Sequence, residues 1–455
     1  MQAAHDIQRQ SQLQLSELMA SLSKALDITE GQPPGHCIRV CWIGFHIGER
    51  CGLSAEELHE LYYTLLLKDL GCSSNAARIC ELYVTDDLSF KHNFKTVNGS
   101  LSQVVNFVVQ NTGLKKNLAE RFKAILNIIK NGDEIAQDLI QTRCDRGAEI
   151  AKQLRFGPSV SEAIRSLDEH WNGGGRPAQL AGQAIPLFAR IALLAQVADV
   201  FHQSSGRDAA LRELTTRAGT WFDPELVQHF VDLAEQPTFW AGLEAEDVQQ
   251  QVLAFEPAQH SVSLDDDYLD EIAAAFGQIV DSKSPYTAGH SERVALYTDL
   301  IGQQLGFSDE LRRWLKRGAL LHDIGKLGVS NSILDKPGKL DEDEWIEMRM
   351  HAVYTEEILC EIAAFKELAR VSAAHHERLD GKGYPRGIKG EQISLATRAI
   401  TVADIFDAIT ADRPYRAPIP IAKALSIMQQ ELDSAIDRQC FAALKLAIKQ
   451  LDLAL

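Results

Sequence analysis

No apolar run in this chain is long enough to cross a bilayer. Its first residues, with Asp6 and Arg9 among polar neighbours, lack the layout of a secretory signal. Both absences point to the cytoplasm and to no membrane insertion. There is no basic excess either: 46 Lys and Arg face 63 Asp and Glu, a formal charge of −17. That balance offers no broad cationic face for DNA or RNA, although a few local cations would still serve a small phosphate-bearing ligand. The eight cysteines contain no CxxC pair, which argues against a zinc knuckle or a disulfide framework and for reduced, buried thiols. Strand-like alternation is scarce. Leu311, Leu315 and Leu320, and likewise Ile358, Ile362 and Phe365, recur at helical spacing, so the expected fold class is all-α.

What the chain does have is a repeat. LLKDLG at 66–71 returns as LLHDIG at 320–325. Adding 254 also carries Gly35-His36 onto Gly289-His290, Arg39-Val40 onto Arg293-Val294, and Ser54 onto Ser308. The offset then becomes 208, taking Glu169 to Glu377, Gly173 and Gly175 to Gly381 and Gly383, Pro177 to Pro385 and Arg190 to Arg398. The first copy therefore holds extra residues between Ala76 and Arg143. A further shift of three aligns VADVF at 197–201 with VADIF at 402–406, which pairs Asp199 with Asp404. With 455 residues exceeding one core, the expectation is a leading helix within 1–30, a first domain over 31–255 and a second over 266–455. The glycine-rich NGGGRP and DGKGYPRG stretches must be loops.

The second copy carries His290, His322, Asp323, His351, His375, His376 and Asp404. His322 and Asp323 can enter one cavity from a single helical turn, with Lys326 on the same side. A donor set of nitrogen and oxygen without thiolate suits iron, manganese, nickel or cobalt better than structural zinc. Asp323 and Asp404 could bridge or anchor two ions. Any one of these histidines alone reads more simply as a core or surface residue. Their concentration in one copy does not.

The runs HDIGKLG (322–328), HHERLDGKGYP (375–385) and VADIFDAITADRPYR (402–416) resemble the HD-GYP subgroup of the HD phosphohydrolase superfamily. The resemblance implies an all-helical, metal-dependent phosphodiesterase that linearises a cyclic dinucleotide, chiefly cyclic di-GMP. Its metal ligands would be His322, Asp323, His351, His375, His376 and Asp404, with His290 of GHSERV beside them. It places Lys326 near the scissile phosphate, so Lys326 and Asp323 are the expected catalytic residues. Members with a third metal have a glutamate where Tyr286 stands, so two divalent ions are expected: iron or manganese first, with nickel, cobalt or magnesium as alternatives. Arg413 and Arg416 would clamp substrate phosphate. Tyr384 and Lys382 of the GYP loop would meet a base, or a protein partner such as a second copy of the chain. The alternatives are selectivity for mixed cyclic GMP-AMP and a receptor that binds without cutting.

By the same offsets the first copy has Lys68 for His322, Arg143 for His351, Leu167 for His375 and Asp168 for His376. His36, Asp69 and Asp199 alone would remain of the ligand set. This half should hold no dinuclear centre and should serve in regulation or scaffolding, or hold a nucleotide through Lys68 and Arg143.

Overall fold

The computed structural model describes residues 13–95, 97, 101–113, 118–256, 264–411 and 417–450. These residues form two compact units, one within 14–262 and one within 263–455, which Leu13 joins by accepting a backbone bond from Leu264 at 3.4 Å. The described residues are helices and loops, with isolated bridges and no strand. None of the described helices is long and apolar enough to cross a membrane. The all-α expectation holds.

In the first unit the leading helix, Leu15–Thr29, packs on His36–Arg50 and Ala55–Leu67 and so belongs to that unit's core. The extra residues of this copy are not a loop. Helices Ala76–Tyr83, Asp87–Phe94, Leu101–Asn111 and the start of Leu118–Gln153 gather Ile79, Tyr83, Phe90, Phe107, Val108 and Ile128 into an apolar cluster of their own.

In the second unit His290–Gln304 buries Val294, Ala295, Thr298 and Ile301, a stripe at helical period that must face other apolar surface. It finds that surface on Asp309–Leu321, Leu395–Thr410 and Arg438–Gln450. Gly289 precedes it at φ +67, a left-handed conformation that costs glycine nothing, and Gly35 does the same before His36–Arg50 at φ +82. Ser308 caps Asp309–Leu321 by accepting from Leu311 N–H, and that helix runs out at His322. The chain then tightens into a 3-10 turn, Ile324–Gly328, under helix Glu342–Cys360. A Cβ on Gly325 would overlap the backbone carbonyl of His351, so only glycine lets this turn and helix touch. Gly71 meets the carbonyl of Arg143 in the same way.

Candidate metal centre

The HD pair sits at the C-terminal end of Asp309–Leu321, where the helix presents partial negative charge and favours cations. Four elements contribute the remaining donors. His290 opens its helix, His351 lies within Glu342–Cys360, His375 and His376 follow Lys366–Ala373, and Asp404 lies within Leu395–Thr410.

Three imidazoles are aimed by one device. Nδ1 of His322, His351 and His375 each lies 2.6 Å from the carbonyl three residues earlier, of Ala319, Met348 and Ser372 respectively. A carbonyl can only accept, so Nδ1 carries the proton and Nε2 is left with its lone pair. His290 is fixed by a carboxylate instead, its Nδ1 2.7 Å from Asp407 Oδ2, while Arg293 donates to both oxygens of Asp407.

The freed nitrogens converge on Asp323. Its Oδ1 lies 3.6 Å from Nε2 of both His351 and His375. Its Oδ2 lies 3.4 Å from His290 Nε2 and 3.3 Å from His322 Nε2. Asp404 Oδ1 is a further 3.4 Å from His290 Nε2 and 3.9 Å from His322 Nε2. The donors thus fall into two groups, Asp323 with His351, His375 and His376, and His290 with His322 and Asp404, and within each group the ligand atoms lie within 4.8 Å of one another. One carboxylate faces both groups.

Nε2 of His290, His322, His351 and His375, together with Asp323 Oδ1, are buried without a hydrogen-bond partner. A buried polar atom left unpaired costs about 1–3 kcal/mol. Four ring nitrogens and the carboxylate oxygen they surround fit a pair of divalent cations, and nothing among the described residues partners them. Burial pushes His351 down to about 4 and His375 to about 3, and holds His376 well below the usual range, so these rings are neutral ligands at neutral pH. Burial would lower His290 too, but Asp323, Asp407 and Asp404 outweigh it and hold that ring at about 9. The carboxylates demand positive charge at this spot. Tyr286 is half-buried and donates its backbone N–H to Ser284 Oγ at 3.2 Å.

The other expected site residues fall as follows. Lys326 Nζ donates to Asp323 Oδ2 at 2.5 Å and keeps its side chain 17% exposed, a cation at the edge of the cavity. The ring of Tyr384 lies 4.8 Å from that of His376 and 6.0 Å from that of His351. Lys382 is exposed, its backbone N–H donating to Asp380 Oδ1 at 3.0 Å. Arg413 and Arg416 lie outside the described residues. A Cβ on Gly383 would overlap the carbonyl of His376, and the buried Glu377 accepts from Arg386 N–H at 2.7 Å, so the GYP loop folds tightly back on the ligand segment.

The first unit reproduces the frame without the donors. Gly175 meets the carbonyl of Asp168 as Gly383 meets that of His376, and Glu169 accepts from Ala178 N–H as Glu377 does from Arg386. The cavity is plugged. Lys68 donates to Asp69 Oδ2 and lies 3.2 Å from His36 Nε2, so its ammonium stands among the counterparts of Asp323 and His290. Arg143 pairs with Asp168 in place of His351 and His376. Glu30, Asp69 and Cys72 also approach one another, but Lys95 Nζ is 2.8 Å from Glu30 and Lys68 neutralises Asp69, so the charge there is already met. With Lys68 fully buried on Asp69, the idea of Lys68 and Arg143 capturing a nucleotide loses its basis.

One expected pairing is corrected. His36 Nδ1 lies 2.7 Å from Asp199 Oδ2, and Arg39 Nε donates to Asp199 Oδ1 at 2.7 Å, which is the His290–Asp407–Arg293 arrangement. Asp199 is therefore the counterpart of Asp407. The 208 register continues without the shift of three, Gln196 stands for Asp404, and only His36 and Asp69 survive from the ligand set. Asp407 itself was absent from the expected site. A second aspartate one helical turn beyond Asp404 was the available signal.

An HD domain model matches residues 122–226 and 275–440, parts of both units. The chain is 62% identical over 442 residues to a 3′3′-cGAMP-specific phosphodiesterase of Vibrio cholerae, covering 97% of this chain and 96% of that protein. The chain belongs to the HD-domain family, in its HD-GYP phosphodiesterase branch. This branch hydrolyses cyclic dinucleotides in a metal-dependent manner. A solved structure of a cyclic GMP-AMP specific phosphodiesterase from V. cholerae superposes on this HD-GYP protein with a TM-score of 0.66 at 56% identity, over 96% of this chain and 98% of that one. A cyclic di-GMP phosphodiesterase response regulator of Xanthomonas campestris is 35% identical over 184 residues, 40% of this chain and 49% of that protein.

Proposed function

We propose that the second unit linearises a 3′3′ cyclic dinucleotide, with mixed cyclic GMP-AMP as the preferred substrate. The observation that carries the reaction is the set of four partnerless Nε2 atoms around one two-sided carboxylate. The preference is supported by the Vibrio relative, whose specificity is for 3′3′-cGAMP and which matches nearly the whole chain. Cyclic di-GMP is the second reading, favoured by the Xanthomonas relative over a shorter span.

His351, His375 and His376 with Asp323 would hold one ion, and His290, His322 and Asp404 with the other Asp323 oxygen a second. Iron or manganese suits this donor set best. Bound there, such ions lower the pKa of water and neutralise phosphate charge. The net reaction adds one water across a phosphodiester: its oxygen bonds to phosphorus, the bond from phosphorus to the 3′ oxygen breaks, and that oxygen takes a proton. Asp323 would serve as a ligand in both groups, while the Nδ1 contacts of the histidines hold their rings in place. Lys326, anchored on Asp323 yet partly exposed, can donate to a phosphate oxygen or to the leaving 3′ oxygen. Tyr384, packed on His376, supports the substrate role of the GYP loop over the partner role. Eight free cysteines suit a reducing cytoplasm.

The test follows cyclic GMP-AMP, cyclic di-GMP and cyclic di-AMP by chromatography, using protein purified anaerobically with iron or manganese. Turnover fastest with cyclic GMP-AMP and abolished in His322→Ala is the expected result. Binding without turnover under either metal would leave a receptor, and a faster rate with cyclic di-GMP would reverse the substrate order.

A further inference from the structure

We infer that Trp345 and Arg349, together with Tyr384, form the seat for a purine base of the substrate. This rests on the second unit being a cyclic-dinucleotide hydrolase and adds two residues to its binding surface. Trp345 and Arg349 lie one turn apart on Glu342–Cys360, the helix that carries His351. The Arg349 guanidinium sits over both rings, 5.8 Å from the centroid of Trp345 and 5.6 Å from that of Tyr384. Tyr384 in turn lies against His376, so an aromatic–cation–aromatic row runs outward from the ligand cluster.

Two features of that row call for an occupant. Trp345 is 44% exposed and its neighbour Ile346 62%, a large apolar surface left in water beside a polar cavity. Arg349 is exposed and, among the described residues, pairs with no carboxylate, although acidic residues outnumber basic ones in the chain. Its N–H groups are held in place by stacking alone and remain available.

The first unit supplies the control. The 208 offset puts Gln137, Gln141 and Arg176 where Trp345, Arg349 and Tyr384 stand. Gln137 Nε2 donates to the carbonyl of Pro177 at 2.8 Å, so this helix position faces the glycine loop there too. The copy that lost its metal ligands has two glutamines and an arginine in the row and no aromatic ring, and the copy that kept them has the stacking surface. A purine offers a flat π face to Trp345, and base–aromatic stacking tolerates guanine and adenine alike.

The experiment compares Trp345→Ala, Trp345→Phe and Arg349→Ala in the full chain. It reads turnover of cyclic GMP-AMP, calorimetric binding in a His322→Ala background, and metal per chain. Trp345→Ala should raise KM and Kd about 10- to 100-fold, the range for one lost base stack. Most of the loss should fall in KM and not in kcat, as for an interaction made equally with substrate and transition state. Trp345→Phe should recover most of it, Arg349→Ala should fall between, and metal content should match the parent. A Trp345→Ala protein that binds as the parent does, or a Trp345→Phe protein as impaired as alanine, overturns the seat. A parent protein that turns over no cyclic dinucleotide overturns the proposed reaction, while the binding arm still judges the seat.

Discussion

Replacing Lys68 with methionine keeps the length of the side chain and removes its charge. In the first unit that charge is fully buried, donating to Asp69 and lying 3.2 Å from His36 Nε2. Burial alone would lower the Lys68 pKa, but the Asp69 carboxylate outweighs it and raises it, so the ammonium is charged at any working pH. Without it Asp69 becomes a buried carboxylate that has lost its ion-pair partner, left among the described residues with thiol contacts from Cys37 and Cys72 at 3.8 and 3.6 Å and the weaker pull of the Lys95 charge. Removing one partner of a buried ion pair costs about 3–5 kcal/mol. For a unit of this size each kcal/mol shifts Tm by roughly 2–4 °C, so the first unit should melt about 6–20 °C lower. Calorimetry of the full chain loaded with manganese would show this as an early transition, with metal per chain held at the parent value. Adding Asp69→Leu should restore most of the loss, because an apolar pair replaces an ionic one. A Lys68→Met protein melting with the parent would show that the ammonium does not substitute for the missing cation.

Further expectations concern the frame of the site and its pH response. Asp407→Asn, which removes the charge and replaces one of the two oxygens shared by His290 and Arg293 with an NH2 donor, should weaken the second ion by about 10- to 100-fold, measured as metal retained after dialysis against a chelator; unaltered retention would refute the role. Gly325→Ala should leave little folded second unit, since the added carbon overlaps the His351 carbonyl, and a Tm near the parent value would contradict that packing. In the first unit, burial first and then Lys68 hold His36 at about 4, and burial holds His170 at about 4. Between the unfolded value near 6.5 and about 4 the unfolded chain binds more protons, so these rings stabilise the fold above pH 6.5 and lose that contribution as pH falls. The slope is at most about 1.4 kcal/mol per pH unit for each. Asp27, raised by burial to about 6, opposes them below that pH. Amide exchange in Leu187–Ser205 should therefore quicken from pH 7 to 6 after correction for intrinsic rates, and less so in His170→Gln.

The repeat, the helical class and the donor set were legible because each is written in local pattern: period, phrase and residue type. The pairing of Asp199 was misread because VADVF and VADIF match as strings, whereas backbone geometry and the His36 and Arg39 bonds obey the 208 register. Asp407 was passed over since it meets an imidazole and not an ion, a role that depends on a helix more than a hundred residues away. Trp345 and Arg349 carry no phrase at all. An exposed tryptophan on a helix acquires meaning only when the loop bearing Tyr384 folds against it. Lys68 could be seen as a lost ligand, but its position between His36 and Asp69 is a fact of tertiary packing.

The tight glycine loop occurs in both units, folded back on the same carbonyl and held by the same glutamate, yet only one unit has imidazoles for it to cover. Its shape is thus a demand of the helical scaffold and can outlast the reaction it is associated with. In a chain of this kind the loop alone would count two active halves, whereas the side chains one turn before it, His375 and His376 against Leu167 and Asp168, distinguish a working centre from a sealed one.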